Sequence, residues 1–333
     1  MRTATLIAIA AVALGQSAAI AQPAPSKPPA EQAKPAFVLP PESVIVTVTR
    51  PSEAAIKNFI ETRAAPTRVV GNMARWTRAI CPLTIGLGNS YAKYVTQRIR
   101  DIAAAVGAPV NADPTCKPNI EVVFTTTPQG FLDVVRKSGP AFLGYFNNGS
   151  QADELAKVTH SIQAWYITES LDYDGLPQID RGTCRGGTTI NTLPIQLSGD
   201  IQSPQGVITL NLPCATIMHA SGSRLNNGYD SGFYNVLIVA EPAKLSDYEV
   251  GSLADYITML ALSQPASLDS CQELSSISNL LAKGCTSASS KITDGDLAYL
   301  HALYKVPRGY SLAAQRDGIG YEMKKALVTD KGG

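Results

Sequence analysis

The side chains able to do chemistry are few and scattered. The three histidines, His160, His219 and His301, stand far apart. A zinc peptidase needs two imidazoles on one helix face around a glutamate, as in HExxH, and a structural zinc site needs closely spaced cysteines or histidines. Neither pattern occurs, so each histidine reads as an ordinary polar contact, and no metal or cofactor is expected. MHASGSR sets His219 near Ser221, but the GxSxG frame of a hydrolase serine on a strand–turn–helix is missing. LDYDGLPQID gathers Asp172, Asp174 and Asp180 around Gly175. A calcium loop of the EF-hand type needs a third ligand, a glycine at the sixth place and a distal glutamate, so this run reads as a turn. RGTCRGGTT places Arg181 and Arg185 among three glycines. Its backbone N–H groups could cradle an anion, and the same stretch suits a hairpin loop stapled by its cysteine. Tyr145, Phe146, Trp165 and Tyr166 could line a pocket, but at strand spacing they read as core.

One carboxylate stands out by its surroundings. In EVGSLADYITMLALSQP, residues 249–265, Leu253, Ile257, Leu260 and Ala261 recur at helical spacing, while Val250, Ala254, Tyr256 and Leu262 make other faces apolar. A helix apolar almost all round is buried. An acid inside it must be solvated at a cleft, paired, or neutral. Asp255 is therefore read first as a carboxylate that caps or pairs in a helix–helix seam, and no catalytic residue is assigned; a catalytic acid is the lesser role. Ser246 with Glu249 has the spacing of a capping box, Asp247 adds negative charge near the positive end of the dipole, and Pro265 closes the segment. The predicted helix is Ser246–Gln264.

The elements that must position these residues alternate early and segregate late. ESVIVTVTR, residues 42–50, has the alternation of a strand and is followed by a helix over about Ser52–Arg63. RAICPLTIGL is a strand. In the helix that follows, Tyr94, Ile99, Ile102, Ala103 and Val106 share a face, and Gly107 stops it. NIEVVFTTT is a strand, and Thr127 with Pro128 opens a helix to about Lys137. SIQAWYITES, TTINTLPIQL and GVITLNLPC read as strands between turn-rich stretches. FYNVLIVAEP is nearly all apolar and so reads as a central strand. Helices are predicted over Ser246–Gln264, about Ser270–Ala282, Thr293–Tyr304 and about Leu312–Leu327, with Thr293 and Asp296 as a capping pair. The class is α+β: a mixed sheet with packed helices and a helical C-terminal part.

Residues 1–21 have the form of a signal peptide: Arg2, an apolar run from Leu6 to Leu14, and Ala19-Ile20-Ala21 before the cut. That run is too short to span a membrane. Residues 22–41 are a linker rich in Pro and Ala, residues 42–327 a single α+β domain, and residues 328–333 a tail. Losing Arg2 with the leader leaves Lys plus Arg equal in number to Asp plus Glu, which argues against nucleic acid or an anionic membrane as partner. The sequence identifies no partner; an envelope protein or a small molecule would fit. Six cysteines, Cys81, Cys116, Cys184, Cys214, Cys271 and Cys285, form an even set in an exported chain and read as disulfides. Nearest neighbours along the chain are the favoured pairs.

The order of elements resembles a family. RWTRAICPLTIGLGNS, then a helix, then CKPNIEVVFTTTPQGFLDVV, is similar to the N-terminal part of zincin-like domains in bacterial secreted proteins of unknown function. YNVLIVAEPAKLSDYEVGSLADYITMLALSQP resembles their edge strand and the helix that carries HExxH in active zincins. SISNLLAKGC and ITDGDLAYLHALYKVPRGY resemble their closing segments. The likeness covers about residues 75–327. It implies that Ala254, Asp255 and Thr258 stand where zincins have the first histidine, the glutamate and the second histidine. The implied protein is a periplasmic or secreted pseudoenzyme that binds a partner; the alternative is a cell-envelope hydrolase using acidic residues such as Asp255. The cysteine reading has a direct check. Thiol titration of the exported protein, denatured without reductant, should find no free thiol, and six reactive thiols would overturn the export argument.

Overall fold

The computed structural model describes residues 51–172, 174–180, 188–194, 207–213 and 228–329. The segment 42–50, read as a strand, lies outside them, as do the leader and the linker.

The organising element is β7, Asp230–Ala240, whose sequence DSGFYNVLIVA is buried at every position except the half-buried Tyr234. A strand buried on both faces must lie inside a sheet that is covered on both sides. It does: the order β1-β2-β7-β3-β4 places it third of five. β1 is Pro82–Ile85, β2 Ile120–Phe124, β3 Ile162–Leu171 and β4 Pro177–Ile179. β1, β2 and β7 run parallel, while β3 is antiparallel to β7 and β4 to β3. The sheet is therefore mixed and the class α+β. A separate antiparallel pair joins β5, Thr188–Pro194, to β6, Val207–Pro213.

Alternation along β7 feeds two cores. Val236, Ile238 and Ala240 enter the larger one with α1 (Glu53–Arg63), α2 (Asn89–Ala105), α5 (Val250–Leu262), α6 (Asp294–Lys305) and α7 (Leu312–Thr329). Leu237 and Val239 enter the smaller one beneath α3 (Pro128–Ser138), a 3-10 turn at Pro140–Leu143, and α4 (Gly149–Leu155). At Gly86 the chain leaves β1 so close to Phe124 that a Cβ would stand 1.9 Å from its carbonyl oxygen, and φ is +87°. Only glycine fits there.

The central place of β7 agrees with its apolar composition and corrects the resemblance, which had this strand at an edge. α1 starts after Ser52, whose side chain accepts from Ala55 N–H. α6 carries the expected capping box of Thr293 and Asp296. Other boundaries differ. The capping box at Ser246 does not form: the chain instead makes a turn that buries Leu245, and α5 begins after Glu249, which lacks a side-chain cap bond. The helix expected over Ser270–Ala282 is a loop with one 3-10 turn at Ile277–Asn279. There Asn279 donates to Gln272 O and to Ser287, and its Oδ1 accepts from Gln272 N–H, so side-chain bonds replace a helical ladder. Tyr94, assigned to the buried face of α2, is 48% exposed; Val95 takes that face. α4 and β4 had no distinct signal in the sequence. α7 runs to Thr329, two residues into the segment read as a tail.

Cys81 is bonded to Cys116 and Cys271 to Cys285, the nearest-neighbour pairs. The third expected pair, Cys184 and Cys214, lies outside the described residues. No helix of the described residues is long and apolar enough to cross a membrane.

One buried acid gives the fold a pH dependence. Glu121 on β2 is fully buried, accepting from Asn235 Nδ2 at 3.0 and 2.8 Å, and burial pushes its carboxyl up to about 8. The folded state then holds a proton that the unfolded chain, titrating near 4.5, releases. Its favourable contribution is complete below the unfolded value and is lost as the pH rises toward about 8. The expected slope is at most about 1.4 kcal/mol per pH unit. Urea unfolding of the native chain and of Glu121→Gln across this range should show the slope flatten in the variant. An unchanged slope would assign the dependence elsewhere.

Candidate functional site

Asp255 lies inside the seam between α5 and α2, and both of its oxygens are taken. Arg98 of α2 donates Nε–H to Oδ1 at 2.6 Å, and Ile292 N–H donates to Oδ2 at 2.8 Å. The Asp255 side chain is 4% exposed against 35% for Arg98, so the pair runs from the core toward solvent. One position before, Ala254 is fully buried; one turn on, so is Thr258, whose hydroxyl donates to the Ala254 carbonyl at 2.7 Å. The sequence required that an acid on this helix be paired, solvated or neutral, and here it is paired.

The other acids marked in the sequence are also engaged. Asp172 and Asp180 sit at the two ends of the β3–β4 hairpin. Asp172 Oδ1 accepts from Leu176 N–H at 2.8 Å, and Asp180 accepts from Thr168 and Ser170 hydroxyls, both at 2.6 Å. Burial raises the Asp180 carboxyl despite those bonds. Asp174 stays at the surface of the turn. Glu169, which the sequence did not single out, is fully buried and held at both oxygens by Arg78, whose guanidinium lies 5.1 Å from the centre of the Tyr234 ring. Among the described residues no group of three His, Cys, Asp or Glu side chains is placed to hold a metal ion. Arg181, Arg185, His219 and Ser221 lie outside the described residues. His301 is exposed on α6.

Of the aromatic candidates, Trp165 belongs to the smaller core and donates to Leu155 O, while Tyr145 bonds Asn147 at the surface and Phe146 packs on the smaller core's edge. Tyr166 differs. It points to the opposite face of β3, and its hydroxyl donates to Leu260 O at 2.9 Å at the end of α5. It lines a cleft of about 280 Å³ between Thr159–Tyr166 and Pro265–Asp269.

This cleft brings a histidine, a carboxylate and an aromatic ring to one open recess. It begins just past the end of β7, where Ala240 pairs with Ile162, and runs back along β3 to Tyr166, which pairs with Val236. Recesses outside the carboxyl ends of parallel strands are where open sheets bind ligands. His160 Nδ1 stands 2.8 Å from the Thr159 hydroxyl, and its Nε2 stands 3.2 Å from Asp269 Oδ1. Gln163 braces the turn: Thr159 N–H donates to its Oε1, and its Nε2 donates to Lys157 O. The sequence set His160 aside as an ordinary contact. Asp269 is 109 residues away, and no local spacing could pair them.

No family model, curated protein or solved structure matches the chain.

The Asp255 geometry predicts a modest mutational cost. Asp255→Asn retains an acceptor for Ile292 but loses the ion pair, and Arg98 is exposed enough to regain water. The expected loss is about 1–2 kcal/mol by urea unfolding. A loss beyond about 4 kcal/mol would show that more than this pair is at stake.

Proposed function

We propose that this is an exported protein whose zincin-like domain, residues 75–327, works in the cell envelope by binding a partner or small ligand and not by metal-dependent peptide cleavage. The state of α5 carries this reading. In the zincin register the two ligand positions hold Ala254 and Thr258, neither of which offers an imidazole, and Asp255 is committed to Arg98 and Ile292. A zinc-activated water needs a glutamate free to take its proton, and no such group stands on this helix. The likeness to zincins rests on the order of elements around α5 and on this register, since β7 is central in the sheet. Export rests on residues 1–21, read as a Sec signal cut after Ala21. The two disulfides are compatible with that compartment. A binding role needs a recess, and the His160 cleft offers one.

Thermal melts test the metal-free part of this reading. A native-state ligand at 100 times its Kd adds about 2.7 kcal/mol, so a real zinc site would show a clear rise in Tm. The expected result is no shift with zinc and none with a chelator, in both the native chain and Asp255→Asn. A chelator-sensitive melt that Asp255→Asn abolishes would overturn the proposal.

A further inference from the structure

The lining of the His160 cleft has a chemical bias. Asp269 is its single carboxylate, with its side chain 81% exposed, and no lysine or arginine lines it. Asp269 Oδ1 faces His160 Nε2, and Oδ2 takes no hydrogen bond from the described residues. The Asp269 backbone is fixed by its N–H donating to Ser267 Oγ at 3.1 Å. Across the cleft the Tyr166 ring is held by the hydroxyl's bonds to Leu260 O and Ser263 O, so its orientation is set before any ligand arrives. Ala164, Pro265, Ala266 and Leu268 add apolar surface, beside the polar Thr159, Gln163 and Ser267.

A carboxylate and a fixed aromatic ring lining one recess are the chemistry that recognises an organic cation. The carboxylate supplies charge-assisted hydrogen bonding, and the face of the ring attracts an ammonium group. The apolar wall accepts the carbon body attached to it. An anion meets the Asp269 charge with only the His160 imidazole, already engaged at Oδ1, to offset it, whereas an ammonium group meets Oδ2. At 280 Å³ the recess holds roughly nine water volumes, which suits a short-chain amine and not a large cofactor. We propose that the cleft between Thr159–Tyr166 and Pro265–Asp269 binds a small organic cation, its protonated amine at Asp269 and Tyr166 and its carbon chain along Pro265, Ala266 and Leu268. This rests on the binding role proposed above and names the class of ligand.

Three probes of equal chain length separate the contributions: n-butylammonium, n-butanol and n-butyrate. Each is titrated at pH 7 and low salt into the full mature chain and followed by saturation-transfer NMR. The expected result is saturable binding of butylammonium at least 10-fold tighter than butanol, with butyrate weakest. Asp269→Asn, at an exposed position that should not disturb folding, is expected to erase the preference for the amine, while Tyr166→Phe, which keeps the ring, retains most of it. Butanol binding as tightly as butylammonium, or butyrate binding more tightly, would overturn the cation assignment and leave a generic binding cleft. Absence of saturable binding by all three would overturn the inference, whatever the zinc melts show.

Discussion

A strand buried on both faces cannot stand alone, and β7 imposes that constraint on the whole molecule. Each of its residues other than Tyr234 is buried. It therefore needs strands on both edges and helices above and below. α2 and α5 meet the demand on one face, and α3, the Pro140–Leu143 turn and α4 on the other. The direction of its neighbours follows from the connections. β2 joins it in parallel, while β3, which precedes it in the chain, runs the opposite way.

Covering β7 on both faces also buries polar groups, and each has to find a partner from another part of the chain. Asp255 meets Arg98, Glu169 meets Arg78, and Asn235 meets Glu121. Asp230, the first residue of β7, is held between Arg75 and Arg308. An unpaired charge at these depths would cost several kcal/mol or lose its charge. Burial therefore engages Asp172, Asp180 and Asp255, acids that the sequence had singled out. Glu121 is answered differently: its neighbour is neutral, and burial raises its carboxyl, as it does for Asp180 among its hydroxyl partners.

The cleft at His160 arises where this packing runs out. α5 ends at Leu262, and the chain returns toward α1, with Ala65 N–H donating to Gln264 O and Ala266 N–H to Thr62 O. Those two bonds fix the wall from Pro265 onward. The opposite wall is the entry to β3, braced by Gln163. The recess between them keeps polar groups near solvent, where they need not be matched within the protein. That separates His160 and Asp269 from the buried acids of the core.

Composition and periodicity were enough to determine the strands β1, β2, β3 and β7, the helices that begin at Ser52 and Thr293, the central place of β7, and two cysteine pairs. All of these rest on residues near one another in sequence. Apolar alternation, a capping hydroxyl three residues before the N–H it accepts from, and short disulfide loops are local signals. The same locality explains the misplaced helices at Ser246 and Ser270. Their capping and helical patterns were present, but Asn279 bonds the backbone of the 270–282 loop, and the turn at Pro242–Leu245 buries Leu245 ahead of α5. That Asp255 would be paired, solvated or neutral could be read from its apolar helix. That Arg98 would be the partner could not, because 157 residues separate them. The cleft is further removed still from the sequence, since His160, Tyr166 and Asp269 become neighbours only when the end of α5 closes over the start of β3. Local preference determined which elements form; tertiary packing decided which polar groups they neutralise and which they leave facing a ligand.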